Sequence, residues 1–220
     1  MSIEAFARKN SGQTNYDLMK QRSAALIASR DLAAAALRRG LDCDGVSVSL
    51  RLLDLPCRLR IADGYAECAD GADGVYREAD FNTAMILYDL LGYASPDARP
   101  TGDYARLEQF SAVQNAHSYA GEGAFSQIER RLDRDFAQLP AAFAALGGVP
   151  HGKGDLSYRL PLYRDLCIEL SFWRSDEEFP ASLDVRFDCA ALQYLHYETM
   201  WYAAFFCLRR LQAHLPEACP

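Results

Sequence analysis

The chain has 220 residues, half of them hydrophobic and 24% charged, with a formal net charge of −7. These are the proportions of a globular protein, and a chain this long buries roughly 70% of its unfolded surface, so its stability requires no disulfide or metal staple. The negative balance excludes a surface built to track nucleic-acid phosphates or to dock on anionic lipid, and no apolar run is long enough for a membrane-spanning helix.

The opening MSIEAFARKN carries no apolar run, so no secretory leader is expected. Residues 15–39 read as one long helix. Thr14 and Asp17 have capping-box spacing, alanines follow, Arg38 and Arg39 lie in the last turn, and Gly40 ends it. Val46, Val48, Leu50 and Leu52 alternate with polar residues as a strand does. Cys57, Leu59 and Ile61 alternate again after Pro56, and Asp63-Gly64 marks a hairpin turn. Short strands are expected at 65–68 and 75–76 around the turn-rich ADGADG. Residues 81–91 read as a buried helix ended by Gly92, and residues 93–103 as a loop with two prolines.

Gly121 and Gly123 break the chain again. Helical spacing then runs over residues 125–146, with Pro140 bending or interrupting it and Gly147-Gly148 closing it. HGKGD, residues 151–155, is a second loop. Strands are expected at 156–160, 166–173 and 183–187. In the last, Leu183, Val185 and Phe187 face one way and Asp184, Arg186 and Asp188 the other, which leaves one wet face. Asp188 is placed to cap a final helix, residues 189–213. That helix is apolar nearly all round, so it is expected to be central or to pack across a twofold interface in a homodimer. The sum is an α+β single domain over residues 1–220, an antiparallel or mixed sheet covered by helices.

The halves echo one another. SLRLLDLPCRLRI (49–61) compares with SYRLPLYRDLCIEL (157–170), and VYREADFNTAMILYDLL (75–91) with VRFDCAALQYLHYETMW (185–201). A duplicated strand-strand-strand-helix unit, with halves at about 46–93 and 155–213, gives this offset, and coincident patterning gives it as well. The seven cysteines include no pair two residues apart, so neither a zinc ribbon nor a thioredoxin-type pair is present. Cys57, Cys167, Cys189 and Cys207 sit in apolar strings and are expected to be small buried hydrophobes with reduced thiols, in a cytoplasmic protein.

The candidate chemistry centres on SDEEFPASLDVRFD, residues 175–188. Asp176, Glu177 and Glu178 are hard oxygen donors, and one of them, raised by its neighbours, is placed to act as a general base. The plain alternative is a charged, proline-blunted turn at a sheet edge. Asp188, Tyr194 and Glu198 form a second group, with Tyr194 and Glu198 four apart on one helix face and His196 read as a satisfied, partly buried histidine. Thr101 and Gly102 lie in a long loop, the kind that carries function or ordinary turn chemistry. HGKG lacks the remainder of a phosphate loop, no nucleophile elbow or zincin motif occurs, and nothing marks His117 and Ser118 as a dyad.

GDLSYRLPL, then FW followed by SDEEFPASLDVRFD, then YLHYE, with LYDLLGY and PTGDYARLEQF upstream, together resemble domain-of-unknown-function family 3786 (DUF3786). The resemblance runs from about Val46 onward. It implies a shared fold and adds Trp173 and Phe179 to the candidate residues. It supplies no reaction. Some members of the family carry iron–sulfur cysteine motifs or accompany corrinoid and methyl-transfer systems of anaerobes; this chain lacks the clustered cysteines.

The leading expectation is a binding domain for a small molecule or a metal-containing cofactor of unknown identity. Its pocket would be framed by the 175–179 turn, the Thr101–Gly102 loop and the end of the last strand. The rivals are a hydrolase-like enzyme using an acidic general base among residues 176–178, and a non-catalytic homo-oligomeric module.

Overall fold

The computed structural model describes residues 14–71, 73–110 and 125–216. The chain divides into two compact units, Met1–Arg51 with Leu55–Pro96, and Leu52–Asp54 with Asp97–Pro220. Among the described residues there are six α-helices and two five-stranded antiparallel sheets, which makes the fold α+β.

In the first unit, α1 (Asn15–Ala28) starts on the expected box: Thr14 Oγ1 accepts from the Asp17 amide, and Asp17 accepts from the Thr14 amide in return. The single helix expected over 15–39 is two helices. Ser29 folds its hydroxyl back onto the Leu26 carbonyl at 2.7 Å, and Asp31 restarts the chain by accepting from the Ala34 amide. α2 (Leu32–Arg39) then ends at Gly40, whose φ of 57° is left-handed.

The first sheet runs in the order β1 (Asp42–Cys43), β2 (Ser47–Leu52), β3 (Leu55–Arg60), β4 (Ala66–Cys68), β5 (Arg77–Glu78). Val48, Leu50, Leu52, Leu55, Cys57, Leu59 and Ala66 form its buried face, beside the largely buried α3 (Phe81–Gly92). Val46 is 70% exposed and precedes β2, because the Asp44 carboxylate holds residues 44–47 in a turn. The last strand falls at 77–78 and not 75–76, since Asp73 accepts from the Val75 amide and pairs with Arg77.

The second unit's sheet runs β6 (Tyr104–Arg106), β10 (Ser182–Asp188), β9 (Leu166–Trp173), β8 (Leu156–Tyr163), β7 (Val149–Pro150). Leu160, Leu162, Ile168, Leu170, Phe172, Val185 and Phe187 are buried on one face. Phe143 of α5 (Leu139–Ala145) stacks on Tyr158 at 4.4 Å, and Phe136 lies 6.1 Å from Phe172. The helix expected over 125–146 is α4 (Ser126–Arg134), a 3₁₀ turn and α5; Pro140 sits in the first turn of α5, where its missing N–H costs nothing.

The last helix, α6 (Tyr197–Ala213), begins eight residues later than expected, after a 3₁₀ turn at Ala191–Gln193. Met200, Trp201, Ala203, Ala204, Phe206, Cys207, Leu208 and Leu211 are buried within the single chain. Its C-terminal end is pinned by Asp54, which takes two bonds from Arg210 (2.9 and 2.6 Å) and one contact with His214 (2.9 Å).

The two sheets share a plan: a two-residue edge strand, a three-strand meander, then a short strand at the other edge. They differ at that last strand, which in the first sheet follows the meander in sequence and in the second precedes it. Among the described residues no helix is long and apolar enough to cross a membrane.

Candidate functional site

The acidic turn between β9 and β10 closes on itself. Asp176 accepts from the Glu178 amide (2.8 Å) and the Phe179 amide (2.7 Å), while its own amide donates to the Phe179 carbonyl. Those amides hold its carboxyl below the ordinary range, the opposite of the raised acid expected for a general base. Asp176, Glu177, Glu178 and Phe179 are all exposed, Phe179 by 66%. The turn is moored from its start, where the Ser175 hydroxyl donates to Asp133 of α4 at 2.5 Å and the Arg174 amide to Asp155 at 2.8 Å.

The carboxyl that is raised in this neighbourhood is Glu129 of α4. Burial pushes it up, against the pull of the Leu183 amide that donates to it at 3.1 Å. Sequence reading missed it because it sits in an Arg-rich helical stretch that reads as a solvated face.

Asp188 is fully buried and caps no helix. One carboxylate oxygen accepts from the Thr101 amide (2.9 Å), the Thr101 hydroxyl (3.0 Å) and the Ala190 amide (2.8 Å), and the other from the Gly102 amide (2.7 Å). Burial lifts its carboxyl, yet the amides of Thr101, Ala190 and Gly102 outweigh this and leave it lowered. Three candidates from distant stretches, Asp188, Thr101 and Gly102, therefore meet, and they meet as a clamp. It fixes the loop that leads into β6.

Tyr194 and Glu198 do not share a helix face, because Tyr194 ends the 3₁₀ turn before α6 begins. Tyr194 is buried, and its hydroxyl has no hydrogen-bond partner among the described residues. Burial, with the Asp165 carboxylate adding, pushes that hydroxyl up to about 12. Glu198 lies exposed in the first turn of α6, and His196 is exposed at its N-cap, not partly buried as expected. Cys57 and Cys207 are buried as expected, whereas Cys167 is half-buried and Cys189 exposed. His117 and Ser118 lie outside the described residues.

The polar groups that converge lie on the face of the second sheet opposite its apolar one. Strand register sets them in rungs. Arg159 of β8, Glu169 of β9, Arg186 of β10 and Arg106 of β6 are successive cross-strand partners. Glu169, only 5% exposed, accepts from Arg159 Nη2 at 2.7 Å and lies 3.1 Å from His151 Nε2. The Arg159 guanidinium reaches across to lie 4.6 Å over the Tyr104 ring, beside Cys167. Burial raises both the Tyr104 hydroxyl and the Cys167 thiol, so neither is an activated nucleophile. In the next rung, Ser157 and Ser171 share a buried hydroxyl bond of 2.8 Å and Asp184 pairs with Ser171 across the ladder.

At the edge of this face lies a hollow of about 280 Å³, lined by Arg106, Glu108, Trp173, Ser182, Leu183 and Asp184. Trp173 is 36% exposed at its wall. It is backed by Gly154, whose φ is 83° and where a Cβ would stand 2.8 Å from the Phe172 carbonyl and 3.3 Å from the indole. Of the candidate ligand-binding residues named from sequence, Trp173 alone lines the hollow, beside Ser182, Leu183 and Asp184 of the same 175–188 stretch. The alternation of Asp184 and Arg186 is the one signal that points to this face; His151 and Arg159 lie in stretches that read as loop and plain strand, and Arg106 in a stretch to which the sequence assigns no element.

Among the described residues no three His, Cys, Asp or Glu side chains converge to hold a metal ion, and the described cysteines are dispersed. The donor set that an iron–sulfur cluster requires is thus not present there. The profile of the domain of unknown function DUF3786 matches residues 31–210, and the chain belongs to that family. No curated protein and no solved structure matches the chain.

Proposed function

We propose that the protein binds a small molecule on the polar face of its second sheet, with the hollow between Trp173 and Asp184 as the pocket. The observation that carries this reading is the pairing of an exposed indole with polar side chains around a concavity, an apolar wall beside groups that can fix a ligand's orientation. The pocket moves from the 175–179 turn to the strand that follows it, through Ser182, Leu183 and Asp184. Asp188, Thr101 and Gly102 support it by fixing the approach to β6. A metal-centred ligand draws no support from the described donors, and the corrinoid or one-carbon ligand implied by the family becomes one arm of a panel. A thermal-shift screen of metabolites and cofactors tests the reading. Binding is expected to be lost in Trp173→Ala while the variant keeps its unfolding midpoint; ligands unaffected by that change would defeat it.

The hydrolase-like alternative loses its base at residues 176–178, which are exposed. A homodimer through the last helix loses its motive, since the apolar girth of α6 is buried in the single chain. The thiols of Cys43, Cys167, Cys189 and Cys207 support a cytoplasmic location, and the shared strand plan supports an origin by duplication.

A further inference from the structure

Resting on the binding reading above, we infer that the ligand is a small molecule with an oxyanion at one end, a carboxylate or a phosphate, gripped by Arg106 and Arg186. These two arginines are cross-strand partners, so their side chains rise from one rung of the sheet. Both are held by the same acid: Asp184 Oδ2 accepts from Arg106 Nε at 3.3 Å and from Arg186 Nε at 2.8 Å. The Asp184 side chain is only 11% exposed, so its charge is spent as an anchor between two cations.

A bond through Nε fixes the plane of a guanidinium and leaves its terminal nitrogens unused. Among the described residues, no terminal nitrogen of Arg106 or Arg186 hydrogen-bonds a protein partner. Two oriented cations sharing one carboxylate therefore keep terminal donors that no described residue occupies, and the three groups together carry one positive charge. That geometry matches the paired oxygens of a carboxylate or phosphate, which a lysine does not reproduce. Arg106 lines the hollow and Arg186 is its cross-strand neighbour, while Asp184 and Glu108 offset their charge, so the anion is held by directed bonds rather than by a net positive field.

The rest of the hollow sets the other end of the ligand. Trp173 offers a flat apolar wall and Ser182 a hydroxyl. Glu108 lines the same space and repels a second anionic group at the ligand's other end, while accepting from a hydroxyl or ammonium. The volume suits a metabolite and not a polymer. The selected class is a small hydroxylated or amino-bearing molecule with a single anionic group, a carboxylate or a phosphate monoester.

The test is an NMR titration of the full chain, isotopically labelled, with four probes: glycerol 3-phosphate, 3-hydroxybutyrate, and their neutral counterparts glycerol and 3-hydroxybutyramide. The readouts are the backbone amides of residues 182–184 and the Nε–H signals of Arg106 and Arg186. One or both anions are expected to shift these signals, more weakly at high salt, and the neutral probes are not; which anion acts separates phosphate from carboxylate. Arg106→Gln and Arg186→Gln are each expected to weaken the anion about tenfold or more, with Arg→Lys variants substituting if either fails to fold. Neutral probes that shift the same amides as strongly, with the glutamine variants unaffected, overturn the oxyanion assignment and leave the binding reading standing. Silence from all four probes also overturns the assignment. A thermal-shift hit whose signals map to another face overturns both.

Discussion

Removing the Asp188 carboxylate tests whether the clamp on the Thr101–Gly102 loop is structural. In Asp188→Ala, the amides of Thr101, Gly102 and Ala190 lose their acceptor together. An orphaned buried amide costs about 1–3 kcal/mol. The bonds to Thr101 and Gly102 are part-buried and open to partial rescue by water, so each takes the low end; the Ala190 bond is buried and takes the middle. The sum is about 4 kcal/mol. Asp188→Asn keeps one acceptor oxygen for Thr101 and Ala190 but turns an NH₂ toward the Gly102 amide, for a loss of about 2 kcal/mol. Urea unfolding followed by far-UV circular dichroism reads both. The pH dependence has a fixed sign: the carboxyl is lowered from 3.8, so its contribution is complete above that value and disappears as pH falls through the folded-state value. The wild-type advantage over Asp188→Asn should therefore shrink only in acid below about 3.8. An alanine variant within 1 kcal/mol of wild type near neutral pH would refute the clamp.

Glu129→Gln should raise the urea midpoint near pH 7. The carboxyl is raised by burial, so the stability it contributes when protonated is lost as pH climbs through its folded value, and the amide keeps an oxygen for the Leu183 N–H; the gain should vanish in acid below about 4.5. Gly154→Ala combines a left-handed φ with a Cβ 2.8 Å from a backbone carbonyl, so it should cost at least about 1 kcal/mol and blue- or red-shift the Trp173 emission. Thiol labelling should modify Cys43 and Cys189 at once and Cys68 and Cys167 slowly, while Cys57 and Cys207 react only in denaturant, as peptide mapping would show.

Elements with long periodic patterns were legible in the sequence. β9 spans Leu166–Trp173 as expected, α3 covers Phe81–Gly92 where residues 81–91 read as a helix, and the α+β class follows from these. What failed was local competition. Ser29 and Asp31 break an alanine-rich run that propensity alone keeps helical. β6 has three residues, too few to show a period, and exists because β10 supplies a register for it. The site was half visible for the same reason. Asp184 and Arg186 declare a wet strand face, but Arg106 joins it only through the pairing of β6 with the distant β10, and Arg159 and His151 only through the β8–β9 register that sets Glu169 beside them. The three consecutive acids drew attention by composition, and a turn that binds its own amides accounts for one of them without any ligand.

The most direct test of the binding face is a crystal structure of the protein purified from its native host and never exposed to added ligand. Retained density is predicted against the Trp173 indole, within reach of the Arg106 and Arg186 forks. Density seated instead on the Asp176–Glu178 turn, or on the helix-covered side of the sheet, would contradict the account.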